Sequence, residues 1–146
     1  MNRPEPARRN QFRRFHPITT RWHDNDVFGH VNNVVYYSFF DTAVTSFLLE
    51  RGLIALSGSG PVYVVAETAC RFRREIAFPD RVAVGMRIAR LGSSSVRYDL
   101  AVFRDDDEAA AAEGHFVHVL VERPAMRPLP IPQAARAAFA ELSAAA

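Results

Sequence analysis

Residues 21–33 read Arg-Trp-His-Asp-Asn-Asp-Val-Phe-Gly-His-Val-Asn-Asn, and a segment rich in Val, Tyr, Phe and Leu follows from Val34 to Gly52. Apolar residues recur at a helical period from Val31 to Arg51 and leave little polar face, which predicts a helix buried on most sides. Carboxylates, imidazoles and amides therefore crowd the start of this helix. A helix N-terminus offers N–H groups and the positive end of a dipole to developing negative charge. We interpret the stretch as an active site.

The rest of the chain predicts mostly strands. Their sequences alternate or are rich in β-branched residues, and turn-forming residues separate them. The strands are expected at Phe15 to His23, Val62 to Glu75, Val82 to Leu91, Ser94 to Arg104 and Ala110 to Arg123, and a short surface helix at Gln133 to Leu142. We expect the last four strands to form a meander whose apolar face the one long helix covers. The predicted class is α+β, with a curved antiparallel five-stranded sheet wrapped around one long central helix. Residues 1–14 are expected to be a disordered tail, and residues 15–146 a single domain.

Composition excludes several classes of protein. The 146 residues are 49% hydrophobic and 23% charged, which is ordinary for one globular domain. A net charge of +2 without a basic block argues against nucleic-acid binding. No apolar run is long enough to span a membrane, and no apolar segment near the start indicates a signal peptide. The single cysteine, Cys70, excludes an internal disulfide and fits a reducing compartment, so we expect a cytoplasmic protein.

A longer motif carries a family resemblance. It reads Asp24-Asn25-Asp26-x-x-Gly29-His30-Val31-Asn32-Asn33-x-x-Tyr36, with Asp41 further along the helix. Weaker matches follow at 67–72, 78–80 and 91–95. Together they resemble hotdog-fold acyl-CoA thioesterases, in the branch that contains 4-hydroxybenzoyl-CoA thioesterase. The resemblance implies a hotdog fold, hydrolysis of an acyl-CoA to a free acid and CoA without metal or cofactor, and a homodimer or homotetramer with sites at the subunit interface.

The resemblance also implies catalytic residues. The family's catalytic carboxylate falls on Asp26, which acts either as nucleophile or as general base. Plant acyl-carrier-protein thioesterases have a similar run whose histidine falls on His30, although Phe28 stands where that run has an asparagine. We expect His30 or Asn33 to position water or the thioester carbonyl, and N–H groups of residues 33–35 to bind the oxyanion.

Substrate-binding residues are predicted on the helix and the strands. Tyr36 is expected to line an acyl pocket, and Glu67, in an apolar strand, either faces the site or pairs with an arginine. The phosphates of CoA favour arginines and backbone N–H nests, which makes Arg71, Arg73, Arg90 and Ser94 candidates. Alternative interpretations are a turn cap for Asp24 or Asp26, a role for His30 in orienting the start of the helix, and a solvated face for the arginines. His23, Asp24, Asp26 and His30 together resemble metal ligands, but no further ligand cluster supports a metal site.

Two other functions fit the same residues. A thioesterase acting on acyl-carrier protein would recognise the phosphopantetheine that both substrates share. The non-enzymatic alternative is a hotdog-fold protein that binds an acyl group without hydrolysing it. The pair Asp26 and His30 favours hydrolysis over binding alone.

Overall fold

Five strands form one antiparallel sheet in the computed structural model, which describes residues 3–143. The strands are β1 (Arg14–Thr19), β2 (Val62–Phe72), β3 (Arg81–Leu91), β4 (Ser95–Arg104) and β5 (Ala112–Val121); the helices are α1 (Asn33–Glu50) and α2 (Gln133–Glu141). The predicted α+β class and five-stranded antiparallel sheet are confirmed. The first strand ends at Thr19, earlier than predicted, because Trp22–Asp24 form a 3-10 turn.

The strand order corrects the predicted meander. It is β1-β3-β4-β5-β2, so only β3, β4 and β5 are sequential neighbours, and β2 pairs with β5. Three strand spacings, about 14 Å, separate β2 from β3. The connection at residues 73–80 therefore crosses one end of the sheet instead of forming a hairpin. Its Ile76 carbonyl accepts the N–H of Val31 (2.7 Å), which ties it to the loop before α1.

Both helices cover the same face of the sheet. The 18-residue α1 buries Phe40, Val44 and Phe47 in the core. The nine-residue α2 adds Phe139, whose ring centroid lies 6.1 Å from that of Phe47 and 6.0 Å from that of Tyr98 on β4. The expected single covering helix is thus accompanied by a second, partly buried one. No helix within residues 3–143 has the length and apolar character needed to cross a bilayer.

The N-terminal segment differs from the predicted disordered tail. Arg8 bridges to Ala109, residues 9–11 form a 3-10 turn, and Phe12 is buried against Phe103 with ring centroids 5.7 Å apart. The sequence signal for disorder was the density of polar residues. The buried ring of Phe12 and hydrogen bonds such as that of the Ala110 N–H to the Ala7 carbonyl (2.8 Å) nevertheless attach the segment to the outer face of the sheet. Residues 1–2 of the predicted tail and 144–146 of the predicted domain lie outside the described residues.

Candidate active site

Asp24 supports the loop that precedes α1. Its side chain is only 2% exposed, and its carboxylate accepts hydrogen bonds from the N–H of Arg21 (2.8 Å) and from the Arg21 guanidinium (2.8 Å). Its carbonyl accepts the N–H of Asn32 (2.9 Å). A carboxylate so buried and so fully bonded to its own loop has a structural role, as in the capping alternative.

Asp26 lies in a tight turn and is half-buried. One carboxylate oxygen, Oδ1, accepts the N–H of Phe28 (2.9 Å), and the Asp26 carbonyl accepts the N–H of Gly29 (3.0 Å). Gly29 has φ of +85°, a conformation that favours glycine at this position. The second oxygen, Oδ2, accepts no hydrogen bond from residues 3–143. Asp26 therefore has one carboxylate oxygen free for chemistry.

The start of α1 is partly capped. Asn32 is the N-cap residue: its Oδ1 accepts the N–H of Val34 (3.0 Å), and its carbonyl accepts the N–H of Val35 (2.9 Å). Two of the three N–H groups expected to bind an oxyanion are thus already used. The N–H of Asn33, at the first helical position, has no acceptor among the described residues. The predicted oxyanion site is reduced to this group and the exposed side-chain amide of Asn33.

A cleft of about 260 Å³ opens beside this helix start. It brings together four of the predicted site residues, which are His30, Asn33, Tyr36 and Arg73, with Glu75 from the connection between β2 and β3. Asp26 does not line the cleft, although its N–H donates to the carbonyl of His30 (3.0 Å). The loop before α1, the helix and the β2–β3 connection each supply one wall.

Tyr36 forms the apolar side of the cleft. It is 3% exposed, and its ring meets that of Phe72 edge to face with centroids 5.0 Å apart. Burial raises the pKa of Tyr36 to about 12, so its phenol is neutral at physiological pH. Tyr36 therefore offers a hydroxyl group as a hydrogen-bond donor or acceptor, not a charge.

Arg71 and Arg73 do not share a site. Arg73 lines the cleft with a nearly buried side chain, and its Nη2 lies 2.6 Å from Oε1 of Glu113, while its Nε has no partner among the described residues. Arg71 lines a separate groove of about 730 Å³, between the N-terminal segment and the outer face of the sheet. Their alternation along the strand predicts a common face, but β2 ends between them at Phe72, and the chain then turns towards α1.

Glu67, Arg90 and Ser94 also lie away from the cleft. Glu67 pairs with His115 (Nε2 to Oε2, 3.1 Å) instead of an arginine or a residue of the cleft. The turn that follows β3 is level with Val64 on β2, because Ser95 pairs with Val119 and Val119 with Val64. From there to Phe72, at the cleft, is about 25 Å along the strand. Arg90 is level with Glu67, through Arg97 and Val117, and so lies about 16 Å from Phe72 in the same direction. Within one subunit, Ser94 is remote from a group bound in the cleft, and Arg90 does not line it.

Glu75 is the residue of the cleft that the sequence did not reveal. Its Oε2 lies 2.9 Å from Nε2 of His30. No sequence signal marks it, because the two residues are distant in the chain and meet through bonds between the two segments, such as that of the Val31 N–H to the Ile76 carbonyl. Residues 3–143 contain no group of three or more His, Cys, Asp or Glu side chains placed to hold a metal ion.

The five-stranded antiparallel sheet packed on a helix, with a polar cleft at the helix start, is consistent with the hotdog fold of thioesterases. The chain belongs to the Thioesterase-like superfamily, whose pattern it matches over residues 20–139. That range contains the whole loop before α1, the helix and the walls of the cleft.

Several solved structures are similar to this chain in sequence and in fold. The PA5185 protein from Pseudomonas aeruginosa strain PAO1 is 50% identical, with a TM-score of 0.93, over 98% of this chain and 99% of that one. The PA2801 protein of Pseudomonas aeruginosa, a candidate thioesterase, is 30% identical (TM-score 0.83; 88% and 99% covered). BH1999 gentisyl-coenzyme A thioesterase is 25% identical (TM-score 0.75; 86% and 99% covered).

A curated relative is matched only in part. The uncharacterized protein YsmA of Bacillus subtilis (strain 168) is 24% identical over 82 residues, which are 56% of this chain and 55% of YsmA. The match thus spans about half the length of that relative. The superfamily and its thioesterase neighbours support thioester hydrolysis as the activity of the chain.

Proposed function

We propose that the protein is an acyl-CoA thioesterase, which hydrolyses an acyl-CoA to a free acid and CoA. The observation that carries this proposal is the cleft at the start of α1, where His30, Asn33 and Tyr36 meet. Membership of the Thioesterase-like superfamily supports hydrolysis, and the likeness to a gentisyl-coenzyme A thioesterase supports CoA as the carrier. Within the superfamily, the motif from Asp24 to Asn33 favours the branch that contains 4-hydroxybenzoyl-CoA thioesterase.

Asp26 is the carboxylate that we assign to the chemistry. Its free oxygen either attacks the thioester carbonyl, forming an anhydride that water then cleaves, or takes a proton from the attacking water. Both routes release CoA as a thiol and need no redox cofactor, because hydrolysis transfers no electrons. His30 positions the water, and the N–H and side-chain amide of Asn33 stabilise the oxyanion.

The binding of CoA requires a second copy of the chain. Since Ser94 lies about 25 Å along the strands from the cleft of its own subunit, we propose that two copies pair their β2 strands antiparallel. A two-fold axis through the middle of β2 then brings the partner's Ser94 to the end of the sheet that carries the cleft. β2 is an edge strand with Val65 46% and Phe72 41% exposed, as expected of a strand that pairs with another copy.

The assembly is tested by sedimentation equilibrium. A mass of two chains, or of four if two such dimers associate, supports the pairing. An active monomer would contradict it.

Arg90→Ala in the dimer is expected to raise KM for an acyl-CoA several-fold and to leave kcat unchanged, because Arg90 is proposed to contact the CoA and not the reacting carbonyl.

The activity is tested by thiol release from short, long and aromatic acyl-CoAs. We expect Asp26→Ala and Asp26→Asn to lower kcat by at least about 100-fold, and Asp106→Asn, in an exposed turn, to leave it unchanged. Addition of EDTA is expected to have no effect. A fully active Asp26→Asn enzyme would contradict the assignment of Asp26. Release from acyl-carrier protein alone would move the proposal to that substrate, and no release from either would favour acyl binding without hydrolysis.

A further inference from the structure

We infer that Glu75 is a positioning residue, which acts through His30 in the hydrolysis and so depends on the proposed function. Oε2 of Glu75 lies 2.9 Å from Nε2 of His30, and both side chains line the cleft that also contains Asn33 and Tyr36. A carboxylate at this distance favours the proton on Nε2 and limits rotation of the ring. Nδ1 of His30 is then left as an acceptor for the water that the proposed function places there.

Backbone bonds hold the two residues together. The N–H of Val31, next to His30, donates to the carbonyl of Ile76, next to Glu75 (2.7 Å). Asn25 Oδ1 accepts the N–H of Phe78 (3.0 Å), which fixes the far side of the same connection. The loop before α1 and the β2–β3 connection are therefore joined by two hydrogen bonds near the contact. The pair is thus set by the fold and not by the side chains alone.

Location distinguishes this pair from a second one. Glu67 and His115 also form a carboxylate–imidazole pair, at 3.1 Å, but neither lines the cleft. The His30–Glu75 pair instead shares the cleft with Asn33, whose N–H has no acceptor within residues 3–143, and His30 belongs to the motif from Asp24 to Asn33. The carboxylate of Glu75 is 73% exposed, so its removal is not expected to affect folding.

Kinetics of four variants test the inference: Glu75→Ala, His30→Ala, the double variant and Glu50→Ala. In Glu75→Ala we expect kcat to fall about tenfold to 100-fold, with KM within twofold of the wild type. In a His30→Ala background the same substitution is expected to have no further effect, because Glu75 acts only through the imidazole. Added formate is expected to restore part of the kcat of Glu75→Ala. The matched control is Glu50→Ala, since Glu50 is an exposed, ion-paired glutamate at the opposite end of α1.

Each contrary result is clear. An unchanged kcat in Glu75→Ala, or equal losses from Glu75→Ala with and without His30, would overturn the positioning role. A fall in kcat that Glu50→Ala reproduces would also overturn it, because the loss would then follow from removal of any surface carboxylate.

A spectroscopic measurement separates this inference from the proposed function. The ¹⁵N signals of the His30 ring report which nitrogen carries the proton, and they need no turnover. We expect the proton on Nε2 in the neutral wild-type ring and a mixture of both forms in Glu75→Ala. If the signals change but the wild type releases no thiol, the proposed function fails while the positioning contact stands. If thiol is released but the signals do not change, Glu75 has no such role.

Discussion

Short polar side chains of the loop before α1 act first as acceptors for backbone N–H groups. Asp24 accepts from Arg21, Asp26 from Phe28 and Asn32 from Val34. The two aspartates of the Asp-x-Asp pair have the same chemistry and differ only in surroundings. Asp24 is buried with both oxygens used, whereas Asp26 is half-buried with one oxygen free. At this scale, the free oxygen is the reason to assign the chemistry to Asp26.

The cap at Asn32 gives a prediction for a single residue. Asn32→Ala removes the acceptor of the Val34 N–H, and we expect a loss of about 1 kcal/mol in the free energy of unfolding. Urea unfolding measures it. Asn33→Ala is the control for stability, because the side chain of Asn33 bonds to no described residue, and its loss is expected to stay below about 0.5 kcal/mol. Equal losses in the two variants would show that Asn32 does not act as a cap.

At the scale of elements, β2, β5 and α1 meet at Gly114. A Cβ at this position would lie 2.0 Å from the carbonyl oxygen of Ala69 on β2 and 3.0 Å from the ring of Phe40 on α1. No real contact is so short, so a side chain here requires a shift of the backbone. Glycine thus allows β2 to approach β5 closely, directly beneath the helix whose start forms the cleft.

Gly114→Ala is therefore expected to lower the free energy of unfolding by at least about 2 kcal/mol. Gly60→Ala is the matched control, since a Cβ there would meet nothing within 4 Å, and we expect a change below about 0.5 kcal/mol. Thermal or urea unfolding of both variants provides the measurement. A stable Gly114→Ala protein would mean that the two strands separate more easily than their contacts indicate.

At the scale of the whole molecule, a buried histidine couples stability to pH. His118 is 4% exposed in the core, its ring is near those of Tyr63 and Tyr98, and its Nδ1 has no partner among the described residues. Burial lowers the pKa of His118 to about 4. The unfolded chain binds a proton at His118 below about pH 6.5 and the folded protein does not, so stability falls from that pH towards pH 4 and is unaffected above it.

We expect the wild type to lose about 2 kcal/mol more than His118→Phe between pH 8 and pH 5. The other histidines are common to both proteins, so their contributions to the pH dependence of the free energy of unfolding cancel in this comparison. Urea unfolding at the two pH values is the measurement. Parallel losses in the two proteins would mean that His118 is protonated in the folded state.

Local patterns predicted most of the elements because their signals lie within short stretches. The helical period predicts α1, and the alternation of residues 97–102 predicts β4. The cleft was only partly predictable: His30, Asn33 and Tyr36 belong to one motif on one loop and helix. Glu75 was not, because it reaches the cleft through a connection that crosses the sheet. The roles of Asp26, Arg90 and Ser94 stay predictions.

The sequence by itself determined the α+β class, the bounds of α1 to within two residues, and the motif that places the chain among thioesterases. These features depend on periodicity and on residues adjacent in the chain. Only the tertiary structure decided that β2 lies beside β5, that Arg71 and Arg73 line different cavities, and that Glu75 meets His30. Strand order and the contacts of a crossing connection depend on which apolar faces pack together, and the local sequence does not record that choice.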